Sequence, residues 1–134
     1  AGAVMAATPG TGVDALFGIG GAPEAVVAAC ALKCLSGEIQ CVRHPRNEDE
    51  RKIAEDQKIS LTDVLGIDDL VSSDNVFFAA TGITDGELVR GVQFFHDGAT
   101  TSSLVMRSLT GTVRRIDATH RLDKLRQLSG LQFD

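Results

Sequence analysis

The stretch FGIGGAPEAVVAAC, residues 17–30, constrains the fold of this chain more than any other part of the sequence. The apolar run Ala15–Ile19 is bounded by polar and glycine residues, a pattern typical of a short buried strand. Pro23 suits the first position of a helix, where its missing N–H is no loss, and Gly37 follows the last periodic residue. The sequence therefore predicts a strand, a glycine turn and a helix over Pro23–Ser36.

Glu24 is a carboxylate in the first turn of this predicted helix, and two interpretations of it stay open. The positive end of the helix dipole stabilises an acidic residue there without any ligand. Exposed N–H groups at a glycine-rich turn also bind anions, so a phosphate and a metal-binding carboxylate could meet at this point. The GIGG run lacks the third glycine of a dinucleotide fingerprint, and no Lys-Ser/Thr pair follows as in a phosphate loop. Both nucleotide-binding motifs are therefore excluded.

Composition limits the class of protein. The chain has 134 residues, 43% of them hydrophobic and 23% charged, as expected for one globular domain with its own core. A net charge of −5, with 13 scattered Lys and Arg residues, argues against a nucleic-acid partner. No apolar run approaches the roughly 20 residues that span a bilayer, and no signal-peptide pattern occurs. We therefore expect a cytosolic protein with no membrane partner.

Cysteine and histidine residues give no sign of a zinc or nucleophile site. The three cysteines lack the spacing of a zinc site, and we expect them to pack as small apolar residues: Cys30, Cys34 and Cys41. The three histidines lie in polar loop or strand-end contexts with no catalytic partner pattern, and we expect them at the surface: His44, His96 and His120.

The segment after the first helix predicts short elements. Ile39–Arg43 is typical of a strand, and Asn47 is the expected N-cap of a polar, solvated helix. Ser60 and Asp63 resemble a capping box before a short helix through Leu65. The following IDDLV is expected to be a second short helix or a turn.

From Asn75 the pattern changes to short runs rich in Val, Phe, Thr and Ile, separated by glycine-containing turns. These runs predict a mostly antiparallel sheet with the strand order of a meander: NVFFAAT, VQFFH, TSSLVMRS and TVRRIDATH. Between the first two lies TGITDGELVRGV, in which residues 84–86 have turn chemistry and could also form hydrogen bonds near a site.

Three long blocks, in this order and spacing, resemble the C-terminal part of class II fructose-1,6-bisphosphatases, including the bifunctional fructose-1,6-/sedoheptulose-1,7-bisphosphatases: DALFGIGGAPEAVVAACALKCLSGEIQ, NVFFAATGITDGELVRGV and TTSSLVMRSLTGTVRRIDATH. The resemblance implies that residues 1–134 are the C-terminal domain of a layered α/β sugar phosphatase with an inositol-phosphatase-like fold. It also implies a Mg²⁺ or Mn²⁺ cofactor, hydrolysis of the 1-phosphate of a ketose bisphosphate, and a homo-oligomer.

By this resemblance Glu24, in the GGAPE motif, corresponds to a metal ligand and Gly21 to a substrate contact. The family's other metal carboxylates, its threonine near the attacking water and its phosphate-binding residues lie in the N-terminal part, which this chain lacks, so no catalytic residue is assigned here. Two functions stay open. The chain is the C-terminal part of a metal-dependent bisphosphatase of gluconeogenesis or the Calvin cycle, or it is a non-catalytic remnant that acts as a phosphate-binding or assembly module.

Overall fold

Helices dominate the first half of the chain and strands the second, in a computed structural model that describes residues 1–129. The helices are α1 Gly2–Ala6, α2 Ala22–Cys34, α3 Glu48–Asp56, α4 Ile67–Leu70 and α5 Leu122–Ser129. The strands are β1 Cys41–Val42, β2 Val64–Leu65, β3 Phe77–Thr81, β4 Gln93–Phe95, β5 Gly98–Arg107 and β6 Thr112–Arg121. The strand pairs are antiparallel, which confirms the α/β class and the antiparallel sheet.

Strand β5 is the centre of the main sheet. It pairs with β6 along its whole length, from Gly98 to Arg107, whereas β3 and β4 pair with its two halves. Because a strand has two edges, β3 and β4 must lie end to end along the second edge, with the loop of residues 82–92 between them. The predicted meander order is therefore wrong: the loop carries the chain onward along β5 instead of turning it back beside β3.

The core lies between α2 and one face of this sheet. Leu104 and Met106 are two residues apart on β5 and are both buried, which places them on the same face. They form one cluster with Val4 of α1 and with Ala31 and Cys34 of α2. Met106 is the one large side chain among the described residues that is fully buried. Small helix residues thus let α2 approach the sheet closely.

The ends of α2 differ from the predicted bounds. The helix begins at Ala22, one residue before Pro23, and ends at Cys34, two residues before Ser36. Ser36 adopts the left-handed conformation, with φ of 57°, while the N–H of Gly37 donates to the carbonyl of Leu32 at 2.9 Å. A Cβ on Gly37 would lie 2.8 Å from the Cβ of Ala7. Glycine is needed at position 37 for close contact with Ala7, the C-cap residue of α1, and not for a positive φ.

Lys33 holds α2 to the segment around α4. Its Nζ donates to Oδ1 of Asp68 at 2.7 Å and to the carbonyl of Val71 at 2.8 Å, and it lies 3.4 Å from Oδ1 of Asp74. The hydrogen bond to Asp68 is the largest cause that raises the pKa of Lys33 above its ordinary value. The charged amine therefore joins two elements that are 35 residues apart in the chain.

The segment between α2 and the main sheet confirms some predictions and corrects others. Asn47 caps α3, because its Oδ1 accepts from the N–H of Glu50 at 2.8 Å. The strand predicted over Ile39–Arg43 is present but shorter, because β1 covers only Cys41–Val42. The predicted helix through Leu65 is wrong: Ser60 Oγ accepts from the N–H of Asp63 at 3.2 Å, but β2 follows and pairs with β1. Pairing with β1 supplies hydrogen bonds that one isolated helical turn could not match.

The contact at Gly37 predicts the effect of a single methyl group. Gly37→Ala should lower the free energy of unfolding by about 1–3 kcal/mol, because the added Cβ meets Ala7 and Leu32 in a packed site. Gly18→Ala is the matched control, since no atom lies within 4 Å of its added Cβ, and it should change stability by less than about 1 kcal/mol. Urea unfolding of both variants measures the difference. Equal stability of the two variants would contradict the close contact.

Candidate functional site

The segment before α2 does not form the predicted strand. Residues 13–21 have neither helix nor strand structure, and Leu16, Phe17 and Ile19 are 57%, 94% and 88% exposed. A buried strand requires a neighbouring strand edge and a covering layer, and the described residues supply neither to this segment. The strand predicted over Ala15–Ile19 is therefore wrong for this chain alone. The glycine turn leads into α2, and no strand precedes it in the described chain.

Gly21 and Glu24 lie together at the start of α2. Gly21 is the N-cap, with an extended backbone (φ −73°, ψ 158°), and its carbonyl accepts from the N–H of Ala25 at 3.1 Å. The carboxylate of Glu24 folds back over Gly21, so that a Cβ at position 21 would overlap Oε2 of Glu24. The structure thus brings together the two residues that the resemblance selects for substrate and metal binding.

The Glu24 carboxylate is exposed, and its oxygens accept no hydrogen bond and form no ion pair within residues 1–129. It stands in the first turn of a 13-residue helix, where the dipole favours negative charge. The N-cap Gly21 forms no side-chain cap, so the N–H groups of Ala22 and Glu24 also remain available, whereas Pro23 has none. The first turn of α2 can therefore present one carboxylate and two backbone donors to a ligand.

These residues do not amount to a complete metal centre. Within the described part of the chain, no three His, Cys, Asp or Glu side chains lie close enough to hold one ion. Mg²⁺ requires near-octahedral oxygen coordination, and proteins supply it with one or two carboxylates together with substrate phosphate and water. The exposed Glu24 carboxylate has the chemistry of one such ligand, and a complete site would need further donors from other residues or molecules.

The loop of residues 82–92 uses its polar groups to close itself. Oδ1 of Asp85 accepts from the N–H of Gly91 at 3.0 Å, and the N–H of Gly86 donates to the carbonyl of Val89 at 3.2 Å. An added Cβ on Gly91 would lie 2.5 Å from the carbonyl carbon of Thr84. These contacts support the turn interpretation of residues 84–86.

The cysteines are free thiols with unequal burial. Cys34 is 3% exposed and belongs to the core, as predicted, while Cys30 and Cys41 are half-buried. Burial is the main cause that raises the pKa of the Cys34 thiol above its ordinary value, and the neighbouring Cys30 adds to the shift. Cys34 is therefore a protonated core residue at neutral pH.

The histidines divide in the same way. His44 and His96 are exposed, which confirms the prediction for them. His120 is half-buried, and its Nε2 lies 2.8 Å from Oγ1 of Thr101, so a purely surface histidine is wrong here. The two residues are diagonal neighbours across β5 and β6, a relation that only the strand register reveals.

A protein-family model described as bacterial fructose-1,6-bisphosphatase, glpX-encoded, matches residues 1–120 of this chain. The chain belongs to this class II fructose-1,6-bisphosphatase family. The family assignment therefore includes the Gly21–Glu24 corner, α2 and nearly all of the main sheet.

Three curated class II relatives extend the match. The chain is 39% identical to the class 2 fructose-1,6-bisphosphatase of Haemophilus influenzae, over 93% of this chain and 41% of that protein. It is 39% identical to a class 2 fructose 1,6-bisphosphatase/sedoheptulose 1,7-bisphosphatase of Microcystis aeruginosa, over 91% of this chain and 39% of that protein. A Synechococcus protein with the same bifunctional name is 41% identical, over 98% of this chain and 41% of that protein. The chain thus spans about 40% of their length and matches their C-terminal part.

No helix among residues 1–129 combines the length and apolar character that a membrane crossing demands.

The unequal burial of the thiols predicts unequal reactivity. At pH 8, iodoacetamide should modify Cys34 at least about tenfold more slowly than Cys30 and Cys41, because a buried thiol with a raised pKa forms little thiolate. Mass spectrometry of peptides after timed alkylation measures the three rates, and unfolding in guanidinium should equalise them. Equal rates in the folded protein would contradict the burial of Cys34.

The incomplete donor set predicts weak metal binding by these 134 residues. Calorimetric titration with Mg²⁺ should detect no stoichiometric site with a Kd below about 1 mM, because a single carboxylate leaves most of the ion's water in place. The purified chain should likewise release no phosphate from fructose 1,6-bisphosphate. Tight one-to-one Mg²⁺ binding would contradict the absence of a complete site.

Proposed function

We propose that this chain is the C-terminal part of a metal-dependent sugar bisphosphatase that hydrolyses the 1-phosphate of fructose 1,6-bisphosphate, with sedoheptulose 1,7-bisphosphate as a second candidate substrate. The observation that carries the proposal is the Gly21–Glu24 corner: a carboxylate folded over the N-cap glycine of α2, within the region that matches the class II family. The two bifunctional relatives support the second substrate.

Each residue of the corner has one role in this proposal. Glu24 contributes one carboxylate ligand to Mg²⁺ or Mn²⁺, because it is exposed and has no other partner in the described chain. Gly21 keeps the backbone open, so that a sugar phosphate can approach the first N–H groups of α2. When bound, the cation supplies stabilisation of the negative charge on the reacting phosphate.

The remaining parts of the site must come from the polypeptide that precedes this region in the family. The curated relatives are more than twice as long as the segment that this chain matches. We therefore expect the missing metal carboxylates and phosphate-binding residues in an N-terminal part of the same enzyme. Homo-oligomerisation, which the resemblance also implies, stays a prediction, as does the choice between gluconeogenesis and the Calvin cycle.

The alternative function is a non-catalytic remnant that binds phosphate or serves in assembly. The incomplete donor set of residues 1–129 is the observation that favours it. The mass of the native polypeptide separates the two proposals: an enzyme requires a product more than twice the 14.1 kDa of this chain. A native product of 14.1 kDa would support the remnant.

The ligand role of Glu24 predicts a large loss of activity in the full-length protein. Glu24→Gln keeps the shape and helix propensity of the side chain but removes its charge, and turnover at saturating Mg²⁺ should fall at least about a hundredfold. Glu38→Gln, at another exposed carboxylate just after α2, is the control and should keep full activity. Wild-type turnover in Glu24→Gln would refute the ligand role and leave Glu24 as a helix-dipole residue, worth at most about 1 kcal/mol of stability.

The contact between Gly21 and Glu24 gives a second test. Gly21→Ala suits the extended backbone at this position, but its Cβ would push the Glu24 carboxylate out of its place. Turnover should fall about tenfold or more, equivalent to about 1.4 kcal/mol, with little change in melting temperature. Gly20→Ala is the matched control, because its Cβ meets no atom within 4 Å. Equal activity of the two variants would show that the position of the carboxylate does not matter.

A further inference from the structure

The chain exposes far more surface than a compact protein of its size. Its accessible surface is 9719 Å², whereas a monomer of 14.1 kDa is expected to expose about 6,700 Å². Residues 130–134 could contribute at most about 800 Å² as fully solvated chain. An excess of about 2,000 Å² therefore belongs to residues 1–129, which is more than the roughly 800 Å² that one partner buries in a standard interface and is in the range of an obligate one.

Part of this excess is apolar and lies on both sides of the candidate site in the sequence. We call it the docking face: Leu16, Phe17 and Ile19 in the extended segment, and Val26 and Val27 in the first half of α2. All five side chains are exposed. Leu16 contacts α1, since a Cβ on Gly2 would lie 3.2 Å from its Cδ1. Phe17 and Ile19 make no such contact with the core cluster.

The backbone of this segment also lacks partners. Within residues 1–129, no backbone hydrogen bond involves residues 14–20, although the sequence there is typical of a buried strand. These N–H and C=O groups are exposed, and beside exposed apolar side chains they offer donors and acceptors with which another chain segment can pair. Residues 15–19 therefore have the apolar side chains of a strand, and their backbone groups pair with no other strand within residues 1–129.

We infer that the docking face binds the N-terminal part of the class II bisphosphatase polypeptide. This inference rests on the proposed function and adds to it the surface on which the two parts meet. The relatives carry more than half of their length outside the matched C-terminal part, enough chain to cover about 2,000 Å². Ile19 of the docking face lies two residues before Gly21, and Val26 lies two residues after Glu24, so a segment that binds this face lies beside the Glu24 carboxylate.

The test uses the chain together with a defined partner. Residues 1–134 are co-expressed with the upstream part of the Haemophilus influenzae class 2 fructose-1,6-bisphosphatase, the part that precedes the matched region. We expect a one-to-one complex, with hydrogen exchange at residues 15–20 slowed at least about tenfold relative to the chain alone. A complex that leaves these amides unprotected, or no complex, would overturn the inference.

Substitutions locate the contact. The double variant Phe17→Ser and Ile19→Ser alters two highly exposed side chains outside the core, and it should weaken the complex at least about tenfold. Leu109→Ser, at an exposed leucine in the turn between β5 and β6, is the control and should bind as the unsubstituted chain does. Equal binding by the double variant, or a self-dimer that forms through residues 15–20 and excludes the upstream part, would contradict the inference.

The docking of the upstream part and the ligand role of Glu24 are refuted by different results. In buffer free of divalent cations, Glu24→Gln should bind the upstream part as the unsubstituted chain does, because its side chain keeps the same shape and no cation then joins position 24 to the upstream carboxylates. If docking occurs at residues 15–20 but Glu24→Gln keeps full activity in the full-length protein, the ligand role alone is refuted. If Glu24→Gln loses activity but residues 15–20 stay unprotected in the complex, the docking face alone is refuted.

Discussion

The packing of α2 against the main sheet holds the fold together. Ala31 and Cys34 meet Leu104 and Met106 in the core cluster, and their small side chains bring the helix axis close to β5. The C-terminal end of α2 is held further by the ion pairs of Lys33 and by the glycine contact at position 37. Because a helix is stiff, fixing this end also fixes the direction in which its first turn presents Glu24.

The two ends of α2 are therefore unequal, and the function that we propose uses both. The C-terminal half is buried and tied to neighbouring elements, while the N-terminal half carries exposed valines and follows a segment without backbone partners. This division suits an enzyme whose site is completed by another part of the polypeptide. The core anchors the helix, and the open end offers one carboxylate, free N–H groups and an apolar surface beside them.

Local signals in the sequence predicted the elements that local physics determines. Asn47 caps α3 through its own side chain, and the alternating runs after Asn75 form β3 to β6 at nearly the predicted positions.

Predictions failed where distant residues decide the outcome. Ser60 makes its expected hydrogen bond, yet pairing with β1 makes the following residues a strand and not a helix. The meander order failed because the loop of residues 82–92 places β3 and β4 along the same edge of β5. Ala15–Ile19 has strand character but no edge to join. Gly21 and Glu24 were found through the family resemblance, and no pattern within this chain could identify ligands that lie outside it.

We propose that the Glu24 carboxylate, held at the start of α2, is one ligand of a metal centre that other parts of the polypeptide complete. Anomalous diffraction from crystals of the full-length protein soaked in Mn²⁺ tests this ligand role. We expect a Mn²⁺ peak within metal–oxygen bonding distance of a Glu24 carboxylate oxygen, about 2.0–2.6 Å, with further oxygen ligands from the N-terminal part of the polypeptide. A Mn²⁺ ion bound by that part while Glu24 faces solvent would contradict it.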